Sequence, residues 1–349
     1  MNWTQLIIYV IQAAILVNVM LLSAAYMVLA ERKIAAWIQN RVGPNRVGWW
    51  GLLQSFADVF KLYLKEDIVP AAAHYKFHAL APMIAIAIAI TVYAVIPWSG
   101  PFVEIDGQRY GLTMAPNMNI AVLVVLAMTS VAVYSIVLAG WSSNSKYSLL
   151  GGLRASAQMI SYELAMGLSV VTVVLVAGSL NFVSIIQTQT AGAWNIFYQP
   201  VTFVIFLICA LAETNRAPFD LPEAEPELVG GYHTEYSGMK FGLLYLAEYA
   251  HILASSAIIA ALFFGGWDLI PFVDDAALFG LEPYSVPMAL IGFGAFAGKA
   301  ALFVFVFMWI RWTLPRFRYD QLMNLGWKVL LPLALANLAV TGFVVLLLE

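Results

Sequence analysis

Eight apolar stretches punctuate the chain, at about residues 6–30, 79–97, 117–138, 157–179, 200–213, 241–265, 286–311 and 328–348. Crossing a hydrocarbon layer of about 30 Å takes about 20 helical residues. The stretch at 200–213 is the short one and approaches that length only with its C-terminal extension. Within lipid a chain must satisfy its own backbone hydrogen bonds, which favours helices for such segments. The pattern predicts an all-α, polytopic membrane protein, a single membrane domain with about eight transmembrane helices. Asn2 to Gln12 lacks the basic region of a secretory leader, so the first span is expected to be retained.

Between the first two spans the pattern changes. Gln54, Asp58, Lys61 and Lys65 recur at intervals of four, three and four, and Leu52, Leu53, Phe56, Val59, Phe60 and Tyr63 cover the rest of the surface. A helix over 49–65 is too polar to span and too apolar to stand in water, so it is expected to lie in the membrane plane. An interfacial anchor with no further role fits the same pattern.

Cations fall on alternate loops. The first, third, fifth and seventh loops and their flanks hold Arg32, Lys33, Arg41, Arg46, Lys61, Lys65, Lys76, Lys146, Arg154, Arg216, Lys240, Arg311, Arg316, Arg318 and Lys328; the opposite loops hold only Arg109. Basic loops stay on the cytoplasmic side, which places both termini outside the cytoplasm, or outside the matrix or its equivalent. The remaining cation, Lys299, lies inside the seventh span.

Composition agrees: the 349 residues are 62% hydrophobic and 11% charged, with a net charge of −3. No basic footprint for nucleic acid exists. A single cysteine, Cys209, cannot hold an iron–sulfur cluster, a Cys-based zinc site or an internal disulfide. Any redox centre is therefore expected on a partner. Gly-rich phosphate loops after a strand, HExxH and GxSxG are absent from the sequence. His74 and His78 form one i,i+4 pair on a basic stretch, which more often solvates than ligates, and no metal is assigned.

The informative residues are charges the bilayer should exclude, since each costs at least about 2.5–3.5 kcal/mol at mid-depth. Glu163 lies in the fourth span, Glu213 closes the fifth, Glu248 lies in the sixth and Lys299 in the seventh. A neutral amine or a paired ammonium suits Lys299, and a carboxylate partner is expected. Tyr162 and Tyr249 flank two of the acids, and Tyr245 and His251 share a face with Glu248. A proton relay through a hydrated interior fits this set; so does hydrogen bonding of each Glu to a neighbouring helix.

Glu213, Asp220, Glu223, Glu225, Glu227 and Glu235 crowd the 213–240 loop, with Arg216 and His233 as local counterweights. Pro218, Pro222 and Pro226 oppose a helix, and an extended chain would point Glu223, Glu225 and Glu227 together. Their protonation would then be coupled. A solvated acidic loop facing the basic first loop is the alternative.

Five blocks carry a resemblance: AERKIAAWIQNRVGPNRVG at 30–48, GLLQSFADVFKLYLKE at 51–66, WSSNSKYSLLGGLRASAQMISYE at 141–163, AETNRAPFDLPEAEPELVGGYHTEY at 212–236 and PRFRYDQLMNLGWK at 315–328. The chain resembles the H-type membrane component of proton-pumping NADH:quinone oxidoreductase, the counterpart of mitochondrial NADH dehydrogenase subunit one in respiratory complex I. The blocks coincide with the four basic loops. Ala224, Pro226 and His233 stand where the mitochondrial form has Gly, Ser and Asn, and His251 where Asn is common, which suggests a bacterial, plasma-membrane member.

The resemblance implies a subunit without its own redox centre that supplies the membrane side of a quinone chamber. Glu31, Arg32, Trp37, Arg41, Asp58, Lys61 and Lys65 would line or brace its mouth, with Arg216, Phe219, Asp220, Arg311, Arg316 and Arg318 nearer its floor. Glu223, Glu225, Glu227 and Glu235 would connect the chamber to Glu213, Glu248 and Glu163, with Lys299 counted in the relay. Implied partners are soluble iron–sulfur and 49-kDa-type subunits on the inner face, small membrane subunits, antiporter-like pumping subunits and lipid; quinone is the implied substrate. The rivals are an equivalent subunit fed by ferredoxin, F420 or a hydrogenase, a stand-alone secondary ion carrier, which would often show inverted repeats, and a structural scaffold.

Overall fold

The computed structural model describes residues 3–100, 103–105, 108–113, 118–220, 228–273, 275–282 and 285–348. Its long helices are α1 (Trp3–Ile38), α3 (Tyr75–Val95), α4 (Ala121–Ser142), α5 (Lys146–Ala177), α9 (Gly238–Phe263), α11 (Val286–Thr313) and α12 (Tyr319–Leu348). All seven are long and apolar enough to cross a membrane. Shorter helices are α2 (Gln54–Leu64), α6 (Phe182–Thr190), α7 (Asn195–Tyr198), α8 (Pro200–Glu213) and α10 (Asp275–Phe279). Among the described residues the fold is all-helical apart from one small hairpin, in which β1 (Val103–Ile105) pairs antiparallel with β2 (Gln108–Tyr110), with Glu104 and Arg109 in register.

The centre of the bundle is α9, which packs against α1, α3, α8 and α11. Of its most apolar stretch 83% is buried, against 11% for α12, which leans on α5 at the edge. The loops rich in Lys and Arg gather at one end, the basic side, and the hairpin and the loop after α9 lie at the far side. Several helix bounds differ from those the hydropathy suggests. Continuing to Ile38, α1 carries Glu31, Arg32 and Lys33 within the helix. The 49–65 stretch starts with a 3-10 turn at Trp49–Gly51, broken by left-handed Trp50 at φ 56°, so α2 proper begins at Gln54.

Two backbone irregularities serve tertiary contacts. Pro82 inside α3 has no N–H to give the carbonyl four residues back; that carbonyl, of His78, accepts the Tyr236 hydroxyl at 3.2 Å instead. In α12 the ladder widens to a π-turn over Leu325–Leu330. Beside it, the Leu322 carbonyl accepts Tyr162 Oη at 2.9 Å, and Trp327 Nε1 donates to Ser161 Oγ at 3.0 Å. Both contacts fix α12 to α5.

On the basic side α5 lies directly against the turn Gly231–His233. A Cβ on Gly151 would stand 2.7 Å from Gly231 Cα and 2.9 Å from Tyr232 N, both backbone atoms that cannot swing aside. Gly151→Ala should therefore cost about 1–3 kcal/mol by overpacking. Gly167→Ala on the same helix, where a methyl meets nothing within 4 Å, should be neutral or stabilising. Thermal melting of the detergent-purified assembly checks this; equal midpoints for the two variants would remove the close approach as a constraint.

Candidate functional site

Glu248 of α9 is the hub of the basic side. Arg216 Nη2 donates to its Oε2 at 2.8 Å, Tyr232 Oη donates to Oε1 at 2.6 Å, and His233 Nε2 lies 3.0 Å from Oε1. The Arg216 guanidinium also packs over the rings of Tyr249, at 4.6 Å, and Tyr245, at 5.2 Å. Burial alone would lower the pKa of Arg216, but the Glu248 carboxylate reverses this and holds it above the usual value. The arginine stays charged. It reaches Glu248 because Gln158 of α5 gathers the end of α8 and the chain beyond it: Gln158 Nε2 donates to the carbonyls of Ala212 and Phe219, both at 2.7 Å.

Tyr249 extends the cluster to α1, donating its hydroxyl to Glu31 Oε2 at 2.5 Å. Glu31 is also paired with Arg311 of α11. Asp220 Oδ2 accepts Arg316 Nη2 at 2.8 Å; burial raises the Asp220 pKa, and the Arg316 charge opposes the rise. Phe219 sits between Tyr162 and Phe317, with ring centroids 5.6 and 5.4 Å away. Arg216 Nε and Nη1 and Asp220 Oδ1 are buried without a hydrogen-bond partner among the described residues. They are polar atoms that a ligand or water can satisfy.

The second group of acids lies deeper. Glu163 of α5 accepts the Ser130 hydroxyl of α4, and Thr129 on the same turn reaches Glu213 of α8. A cavity of about 40 Å³ connects the two groups, lined by Glu248, Tyr232, Asn215, Ser135, Glu213 and His251. Another of about 20 Å³ continues past Glu213 and His251 to Ser255. Each exceeds the roughly 10–15 Å³ a water molecule needs, and each offers polar partners.

The remaining predicted residues are more peripheral. Arg32 pairs with Asp58 at 2.7 Å, partly exposed. Trp37 and Arg41 line an open cavity of about 470 Å³ with Lys33 and Trp50. Lys61, Lys65 and Arg318 are exposed, and Arg318 is taken up by Asp320, 2.5 Å away. Glu235 neighbours His78. Glu223, Glu225 and Glu227 lie outside the described residues. Lys299 is remote from Glu163, Glu213 and Glu248: its hydrogen bonds go to backbone carbonyls at the far side. Sequence reasoning missed Gln158 and Tyr232. Neither has a local signal, because each acts on residues distant in the chain. Among the described residues no group of three or more His, Cys, Asp or Glu could hold a metal.

Fold and site together define a polytopic membrane protein that buries a connected set of carboxylates, arginines and tyrosines with hydratable space between them. The chain belongs to the NADH dehydrogenase family, whose profile matches residues 11–342. It is 54% identical over 342 residues to NADH-quinone oxidoreductase subunit 8 of Rhodothermus marinus, covering 96% of this chain and 95% of the relative. The H-type subunit of the NADH-quinone oxidoreductase of Salinibacter ruber is 52% identical over 342 residues, covering 97% of this chain and 94% of the relative. A corresponding H-type subunit from Geobacter sulfurreducens is 50% identical over 335 residues, covering 93% and 91%.

Removing one partner of a buried pair leaves an uncompensated charge and costs about 3–5 kcal/mol, whereas replacing both with apolar groups is far cheaper. Arg216→Met and Glu248→Met should each lower the melting midpoint of the assembly more than the double variant does. Additive losses in this cycle would show that the two side chains are not coupled.

Proposed function

We propose that the chain is the H-type membrane subunit of a proton-pumping NADH:quinone oxidoreductase, that it supplies the membrane side of the quinone tunnel, and that it relays quinone reduction to proton translocation through buried carboxylates. The observation that carries the relay is the series of neighbours from Asp220, which feels the Glu248 charge, through the Arg216–Glu248 pair and across the cavity to Glu213 and Glu163. Reducing a quinone takes up two protons, and an anionic intermediate acts on nearby acids by Coulomb's law. At an effective dielectric of about 20, a unit charge about 10 Å away contributes about 1.7 kcal/mol. That is enough for more than a tenfold change in protonation.

An apolar groove of about 440 Å³ supports the tunnel. It runs between α1 and α11, lined by Met27, Ala30, Ile34, Leu253, Phe293 and Val304 among others. Its basic-side end lies beside α2, where Ser55 Oγ donates to the Ala25 carbonyl at 2.9 Å and Phe56 meets Tyr26 at 6.2 Å. A long isoprenoid tail matches such a slot, and its head group would meet Glu31, Arg311 and the Arg216 cluster.

The relatives' shared NADH-quinone name favours NADH as the electron source over ferredoxin, F420 or a hydrogenase. Electrons arrive from an iron–sulfur-bearing 49-kDa-type assembly on the basic, cytoplasmic side, and the antiporter-like pumping subunits lie alongside in the membrane. This orientation puts both termini in the periplasm of a bacterial inner membrane.

In the assembled complex, Glu213→Gln and Glu248→Gln should each lower coupled quinone reduction and proton pumping about tenfold or more, read in inverted vesicles with NADH as donor. Native turnover and pumping in both variants would remove the relay. A photoreactive quinone analogue should label α1, α2 or the 212–220 segment, and labelling confined to other subunits would remove the tunnel.

A further inference from the structure

At the end of α9 remote from Glu248, backbone carbonyls converge on one cation. Lys299 Nζ, from α11, donates to the carbonyls of Phe264 at 2.6 Å, Gly266 at 3.2 Å and Asp268. It also lies 4.2 Å from the centroid of the Trp194 ring. The chain bends around it because Gly265 and Gly266 adopt left-handed φ of +67° and +55°, and a Cβ on either would strike Trp194 at 2.5 Å or Ile186 at 2.6 Å.

Side chains from three other elements hold this bend. Gln189 of α6 donates to the Ala261 carbonyl at 2.9 Å and accepts from Gly265 N at 3.0 Å. Asn195 of α7 donates to the Leu262 carbonyl at 2.7 Å. Trp194 Nε1 donates to Asp268 Oδ2 at 2.6 Å, and Asp275 of α10 accepts from Leu269 N at 2.6 Å. Both carboxylates lie within electrostatic reach of Lys299. The cradle therefore combines the negative end of a helix dipole, three carbonyl oxygens, an indole face and two nearby acids. That is a binding site for a monovalent, hydrogen-bond-donating cation, and the chain fills it with its own tethered ammonium.

We propose that this cradle is an ammonium site and that its occupant, Lys299, is a positioning residue: it locks α11 to the end of α9 and so keeps Glu248 on α9 and Arg311 on α11 against their partners. The coupling is mechanical. From Glu248 to Phe264 is about 24 Å of helix, and from Lys299 to Arg311 about 18 Å. The same two helices meet again on the basic side, where Tyr249 and Arg311 share Glu31. Two rods joined at both ends cannot slide past each other, whereas release of one joint permits shear.

The link to Glu248 rests on the relay reading above; the cradle itself does not, and melting reports on it without any quinone. In the complete complex, Lys299→Ala should lower the melting midpoint and cut quinone turnover several-fold. Millimolar ethylammonium, which refills the cradle without tying it to α11, should restore the melting midpoint but not turnover, and tetramethylammonium, which has no N–H to donate, should restore neither. Lys299→Met fills the cradle with an uncharged chain and should lose turnover without rescue by either ion. An assembled alanine variant whose melting midpoint ethylammonium leaves unchanged, or whose turnover it restores, overturns the proposal, as does native turnover in either variant. If the alanine variant does not assemble, the methionine variant decides: turnover several-fold lower with an unchanged quinone KM supports a positioning role, and native turnover refutes it.

Discussion

The Arg216–Glu248 pair is the constraint around which the basic side is organised. Taking both ions out of water costs several kcal/mol each, and their mutual attraction offsets that only when the remaining donors and acceptors are satisfied. Glu248 meets the condition with Tyr232 and His233, and Arg216 partly meets it with the faces of Tyr245 and Tyr249. Tyr232 and His233 sit on one short turn, so that turn must be held close to α9. Gly151 allows the approach and Gln158 fixes the opposite arm of the loop. A glycine and a glutamine on α5 thus exist in their places because of an ion pair neither of them touches.

The apolar runs and the alternation of basic loops were legible because both follow from solvent: lipid selects for length and hydropathy, and loop charge follows one side. The buried acids were legible for the same reason, as exceptions to it. Their partners were not. Glu248 draws on residues 216, 232 and 233, and Glu31 on residues 249 and 311. Such pairings depend on which helices are neighbours, which hydropathy does not state. The break at Trp50 escaped for a different reason: it precedes the polar stripe, which begins at Gln54 and carries no signal about the turn before it. Lys299 was legible only in part. The carboxylates expected near a buried lysine are there, Asp268 and Asp275, but its hydrogen bonds go to main-chain carbonyls, which every residue possesses and no sequence pattern marks.

The division between the two ends of α9 bears on how a signal can travel. At the far side the helix end is held by Gln189, Asn195 and Lys299, all through hydrogen bonds to its last carbonyls or the bend beyond them. At the basic side it is held by acidic, basic and phenolic side chains: Glu31, Arg216, His233 and the tyrosines. Displacing the helix would break several of these bonds at once, at about 1.5–3 kcal/mol for each one that involves a charge. Moving a proton across a cavity of about 40 Å³ between Glu248 and Glu213 breaks none of the bonds at the far side. A new charge near the proposed head-group position, worth about 1.7 kcal/mol, shifts a protonation equilibrium more than tenfold but is smaller than the cost of breaking several such bonds at once. The architecture therefore favours a fixed scaffold in which charge moves, over one in which α9 itself shifts.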